Sequence, residues 1–278
     1  MRVTQMFLRA SALLGLTALC IYLFVTAPPP LEDGGQVSSS ATVSIAKAFT
    51  VLAVENDGAR KIWTDEIVGA GQKVGLRFDE DWADEGVEAG PLPALFLTET
   101  ARQIQRISTD LTLSLGSDAP IVPEHLFRGP QATAFATLRA TGAPQFFEDA
   151  TLGRQVAMFP DLASAEACVA CHNAHEDSPR HDWVLGEIMG ATTWTYPKAS
   201  VSLAEILELA KIYRAGTRRA YERYLERAGS FEVPPEIGDR WPRDGERVLP
   251  SADEFMRAVE GAVSSRTVEV LFEAARAR

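Results

Sequence analysis

The sequence predicts an α+β fold in which helices flank an antiparallel sheet. Three observations carry this: helical spacing of apolar residues over Val43–Val54 and Pro91–Ile107, strict alternation in Leu111-Thr112-Leu113-Ser114-Leu115, and two short runs, Gln145–Glu148 and Arg154–Phe159, on either side of a turn. With 278 residues, 46% of them hydrophobic, the chain can bury a sizeable core. A net charge of −11 without any Lys/Arg cluster excludes nucleic acid as a partner.

In chain order, Arg2 and Arg9 precede an apolar run from Ala10 to Ala27. A helix of that length reaches about 27 Å, close to the ~30 Å hydrocarbon core of a bilayer. Residues 1–27 are therefore expected to be a membrane anchor. The alternative, a cleaved signal peptide, is opposed by Pro28-Pro29-Pro30 directly after the small-residue site Val25-Thr26-Ala27. Arginines before the segment and Glu32-Asp33 after it place the body outside the cytoplasm. The expected location is a bacterial inner membrane, crossed once, with the body in the periplasm. Residues 28–42, rich in Pro, Gly and Ser, read as a tether.

The body is expected to start with an amphipathic helix from Val43, continuing unevenly toward Ile62 until Gly69, Gly71 and Gly75 break it. Asp79–Gly90 reads as an acidic, solvated loop, since its six carboxylates lack the spacing of a calcium loop. Helix 91–107 and strand 111–115 follow. Ser117–Pro130 is a loop carrying His125, and Gln131–Ala140 is a short helix closed by Gly142. The hairpin 145–159 leads through Pro160–Ala167 to a loop, and Val184–Tyr196 returns as a strand or a pair of short strands. Ser202 and Glu205 form a capping box with Val201 and Ile206 as its staple, opening a helix that runs to Gly229. Its apolar seam spans only about three heptads, so it either packs back on the body or pairs two copies into a homodimer. A loop over Phe231–Leu249 and a second capping box at Ser251 and Glu254 precede a terminal helix to Ala275. Residues 43–198 are thus one domain and 199–278 a helical C-terminal extension.

The chemistry concentrates in Cys168-Val169-Ala170-Cys171-His172, a C-x-x-C-H run. Two thiols three residues apart can form thioethers with the two vinyl groups of one haem, and the adjacent histidine then falls under the iron. Cys168 and Cys171 are the expected attachment points, His172 the proximal iron ligand, and one covalently held haem c the cofactor. Zinc bound by Cys168, Cys171, His175 and His181 would need an unusually compressed ligand order. A thiol redox pair would need a C-x-x-C at a strand-to-helix turn in a βαβ context, which the flanking sequence does not resemble. The third cysteine, Cys20, lies in the apolar N-terminal run, so no disulfide framework exists.

These residues, with Asn173, His175, Asp177-Ser178-Pro179, Asp182-Trp183 and Gly190, make the chain resemble the bacterial c-type haem family. That family is an extracytoplasmic PAS-like sensory domain, formerly of unknown function, often fused to kinases or cyclases. The resemblance implies a PAS-like antiparallel sheet over 43–198, haem on Cys168 and Cys171, and His172 as proximal ligand. Some relatives use a cysteine of the first helix as second axial ligand, but no cysteine lies between Val43 and Ala167. The sixth position is then open or taken by another residue, with Met158 and His125 the leading candidates, ahead of His181, Met189 and His175. Trp183 and Trp194 could wall the haem. No stretch after Tyr196 is apolar for long enough to cross back to a cytoplasmic effector. The resemblance therefore implies a redox or diatomic-gas sensor acting through a partner protein, and the alternative is an electron-transfer cytochrome. No enzymatic role is expected; a peroxidase would need a distal His/Arg pair that cannot be assigned.

Overall fold

The computed structural model describes residues 42–243 and 245–276. The expected membrane segment and nearly all of the tether lie outside them, and no described helix is long and apolar enough to cross a membrane. Ser44 caps the first helix, α1 (Ile45–Lys61), by accepting a hydrogen bond from the Ala46 N–H. The winding does not break at Gly69. Residues Ile62–Gly69 widen into π-helix and Ala70–Lys73 return to α, before Gly75, at φ +85°, ends the run. The gain from this irregularity is Trp63, which the wider turns carry fully into the core, stacked on Phe96 with ring centroids 4.2 Å apart.

Helix α2 (Pro93–Ile107) leads to strand β1 (Thr112–Gly116), and α3 (Gly129–Thr141) ends on Gly142 at φ +70°. Strand β2 (Gln145–Asp149) turns back into β3 (Arg154–Leu162), with the Asp149 carboxylate accepting from the Thr151 N–H at 3.0 Å. The cysteine motif lies on a helix, α4 (Glu166–Ala174), where the sequence pointed to a loop. Glu, Ala and Cys residues without Gly or Pro let these nine residues wind, which the sheet-rich surroundings had masked. Strand β4 (Ile188–Tyr196) completes an antiparallel sheet of order β1-β4-β3-β2. Along β3, Val156 and Met158 point to a cluster with Phe135 and Leu138 of α3, while Ala157 faces the main core.

Helices α5 (Leu203–Ala228) and α6 (Ala252–Arg276) follow. The Ser202–Glu205 capping box is formed in both directions, and its staple residues Val201 and Ile206 are buried. Helix α5 packs back on the body against α1 and α2, and α6 packs on α1. Tyr221 of α5 stacks on Phe255 of α6 at 4.1 Å and donates its hydroxyl to the Pro250 carbonyl at 2.7 Å. Within the stretch expected as loop, Glu236–Gly238 pairs in parallel with Val248–Pro250. The boundary expected at 198/199 thus falls inside one hydrophobic core that runs from Ile45 to Val259.

Candidate functional site

The site is built where β3 hands over to α4. The neck of the segment is closed by two backbone bonds, Ala163 N–H to Glu187 carbonyl and Gly186 N–H to Ala163 carbonyl, both 2.9 Å. At its foot Asp161 pairs with Arg60 of α1 at 2.6 Å, which ties this end of the sheet to the first helix. On α4, residues 168, 171 and 172 stand three and four apart, so the helix brings them to one face. Cys168 is half-buried and Cys171 exposed, and both are free thiols. Partial burial, the Glu80 carboxylate and the Cys168 sulfur push the Cys171 thiol up, opposite to what a nucleophilic thiol pair requires.

His172 is half-buried, and its Nδ1 is shut away from solvent without a hydrogen-bond partner among the described residues. Burial and the neighbouring His175 lower its pKa against an opposing pull from Asp161. A neutral imidazole is the form that binds a metal. The Trp183 indole meets the His172 ring edge-on, 6.5 Å away and 85° inclined. Trp183 is in turn held by Asn173, whose amide Nδ2 donates to the Trp183 carbonyl (2.9 Å) while its Oδ1 accepts the Trp183 N–H (2.8 Å). Arg180 covers the indole, its guanidinium carbon 3.9 Å from the ring centroid, and pairs with Glu187 at 2.6 Å.

The remaining candidates are placed elsewhere. His175 Nε2 is bonded to Glu80 at 3.1 Å, and His181 Nδ1 to the Asn173 carbonyl at 3.0 Å. Both imidazoles are therefore engaged, and no group of three His, Cys, Asp or Glu side chains among the described residues is arranged to hold a bare metal ion. Met158 is enclosed in the cluster under α3, on the sheet face opposite Ala157 and Phe159. His125 ends a short 3₁₀ turn, Pro123–His125, beyond the C-terminal end of β1. Met189 accepts the Ser117 hydroxyl on its backbone carbonyl. Trp194 stands against Tyr213 in the main core, 5.7 Å between centroids, away from α4.

The donor set fits a covalently attached haem: two accessible thiols and a neutral imidazole on one helical face, with an orphaned buried nitrogen that leaves Nε2 for the metal. The Asn173 clamp, the Arg180 stack and the Glu80–His175 contact were not read from the sequence. Asn173, His175 and Trp183 stand in the motif that carries the family resemblance, but their contacts with one another and with Glu80 have no sequence signature.

Neither a curated protein nor a solved structure matches this chain. A family model described as Tll0287-like matches residues 36–197. That span covers the elements from α1 to β4 and with them every residue of the site. The match takes in more than half of the sequence, and the chain belongs to the Tll0287-like family.

Proposed function

We infer that Cys168 and Cys171 hold one haem c by thioether bonds, with His172 as its axial ligand, in a redox or diatomic-gas sensor. The family is known for a haem-binding PAS-like domain, which supports the cofactor. The observation that carries the assignment is the single face of α4 that presents both thiols beside a neutral imidazole. Bound there, the haem would supply an iron that changes oxidation state or takes up a small ligand. The chain's own part is to fix the imidazole and keep one side of it dry, through Trp183 and the closed neck of the segment.

The sensing role is supported by the way α4 is wired into the rest of the fold. From His175 the contact passes to Glu80 in the acidic loop, and Arg227 of α5 donates to the Asp84 and Val87 carbonyls of that same loop. A shift of α4 would thus reach the C-terminal end of α5, whereas sequence adjacency alone points to its Ser202 end. With the apolar segment 10–27 as anchor, the protein would act from the periplasmic side of an inner membrane through a partner protein. Electron transfer is the second reading, favoured by the exposure of Cys171, which would leave one haem edge near solvent.

Absorption spectra of the ferric and ferrous protein, with and without carbon monoxide, separate the two. Rapid binding of carbon monoxide supports sensing, and an indifferent low-spin haem supports electron transfer. Covalent haem is expected to survive on a denaturing gel in Cys168→Ser or Cys171→Ser and to vanish in the double variant. A protein matured with cytochrome c machinery and still lacking haem would sink both readings.

A further inference from the structure

A metal-bound histidine is ordinarily oriented by a hydrogen bond from its second nitrogen to a carboxylate or carbonyl. His172 has none: Nδ1 is buried and unpartnered among the described residues. The ring's orientation must then come from packing, and the aromatic contact it makes is with Trp183. Trp183 itself has little freedom. The residue is 2% exposed, the face of its indole is covered by Arg180, and its backbone is gripped at both polar atoms by the side chain of Asn173. Asn173 is also the residue next to His172, so one amide joins the start and the end of the ten-residue excursion that carries the indole back to the imidazole.

We propose that Asn173 and Trp183 are positioning residues for the proximal histidine: the amide clamp locks the indole, and the indole replaces the usual hydrogen bond in setting the imidazole plane. The inference rests on the haem reading of the motif. Asparagine suits the role because it alone offers, at this reach, one donor and one acceptor side by side to match a backbone C=O and N–H. Aspartate at this position retains the acceptor and sets a carboxylate oxygen against the Trp183 carbonyl, which opens the clamp at nearly unchanged volume. Phenylalanine at 183 keeps a flat ring against His172 and loses only the indole N–H, which has no partner to lose.

The test uses the haem-loaded protein and low-temperature electron paramagnetic resonance of its ferric form, which reads the orientation of the axial imidazole. The wild type and Trp183→Phe are expected to give the same single signal. Trp183→Leu and Asn173→Asp are expected to split it into more than one species while haem staining on denaturing gels stays at the wild-type level. A single wild-type signal in both of these variants overturns the proposal. Should Trp183→Leu fail to fold, Asn173→Asp decides alone, since it changes one amide and removes no packing. Failure of the wild type to retain haem would instead strike the functional reading, and the two failures are told apart by the stain.

Discussion

Glu55 lies in the middle of α1 with no exposure to solvent, and its carboxylate is tolerable there because three hydrogen bonds meet it. Arg214 of α5 contributes two, at 2.8 and 2.7 Å, and the Thr267 hydroxyl of α6 adds a third at 2.9 Å. Removing one partner of such a pair strands the other charge in the core. Arg214→Ala is therefore expected to cost about 3 kcal/mol in urea unfolding, with most of the loss recovered when Glu55→Leu is added. Equal stability of the two variants would mean that solvent, not Arg214, satisfies the carboxylate. Nothing in the sequence marks Glu55, because an acidic residue in a helix ordinarily faces water. Cys168, Cys171 and His172 were legible for the opposite reason: their relation is confined to five consecutive residues and holds in any fold that winds them together. Asn173 and Trp183 meet only through a folded excursion, and Glu80 meets His175 across 95 positions, so neither contact has a local signature.

The start of α5 is the element whose local chemistry the sequence expressed most completely. Ser202 Oγ accepts the Glu205 N–H at 3.2 Å, Glu205 accepts the Ser202 N–H at 2.8 Å, and Lys198 pairs with the same carboxylate at 2.6 Å. The Lys198 pair, the largest cause, and the bonds the carboxylate accepts from the Ser202 N–H and hydroxyl lower the Glu205 carboxyl from 4.5 to about 2. A depressed carboxylate stabilises the fold above its unfolded pKa and stops doing so as pH falls toward its folded value. The capping contribution should then be fully present at neutral pH and fade between pH 4.5 and about 2. Its size is set by the cap, about 1 kcal/mol for Ser202→Ala, because the ion pair is partly solvated and adds little. Stability measured against pH should show Glu205→Gln converging on the wild type through that window; parallel curves would rule the capping carboxylate out as the cause. Other elements resisted the sequence for physical reasons. The π-segment Ile62–Gly69 answers to the placement of Trp63 in a core shared with Phe96, Tyr221 and Tyr224, and α4 has too few residues for a period to show. Likewise, Gly216 reads as a weak point of α5, yet a Cβ there would stand 2.6 Å from Ile104 of α2, so its absence is what lets the two helices approach.

On the scale of the whole molecule, the family match stops at residue 197, while the hydrophobic core does not. Ile206, Tyr213, Tyr221 and Tyr224 of α5 and Phe255 and Val259 of α6 are buried together with Phe49 and Leu52 of α1 and with Phe96 and Ile104 of α2. The extension is thus the other half of the core of the haem-motif region, joined to it by the buried Glu55 contacts as well as by apolar area. A chain ending at residue 198 would expose the faces of α1 and α2 as one contiguous apolar patch, the kind that monomeric soluble proteins rarely tolerate. It is expected to lose its cooperative thermal transition and to bind a hydrophobic dye, whereas the same truncation of a true appendage would leave both unchanged. A cooperative melt near the full-length temperature would show that residues 199–278 are detachable, and the contact from α4 through the acidic loop to α5 could then carry no structural signal. If the truncated chain instead unfolds, any change at α4 acts on helices that the site's own fold depends on. The coupling should then be visible as altered amide exchange in α5 between the oxidised and reduced protein.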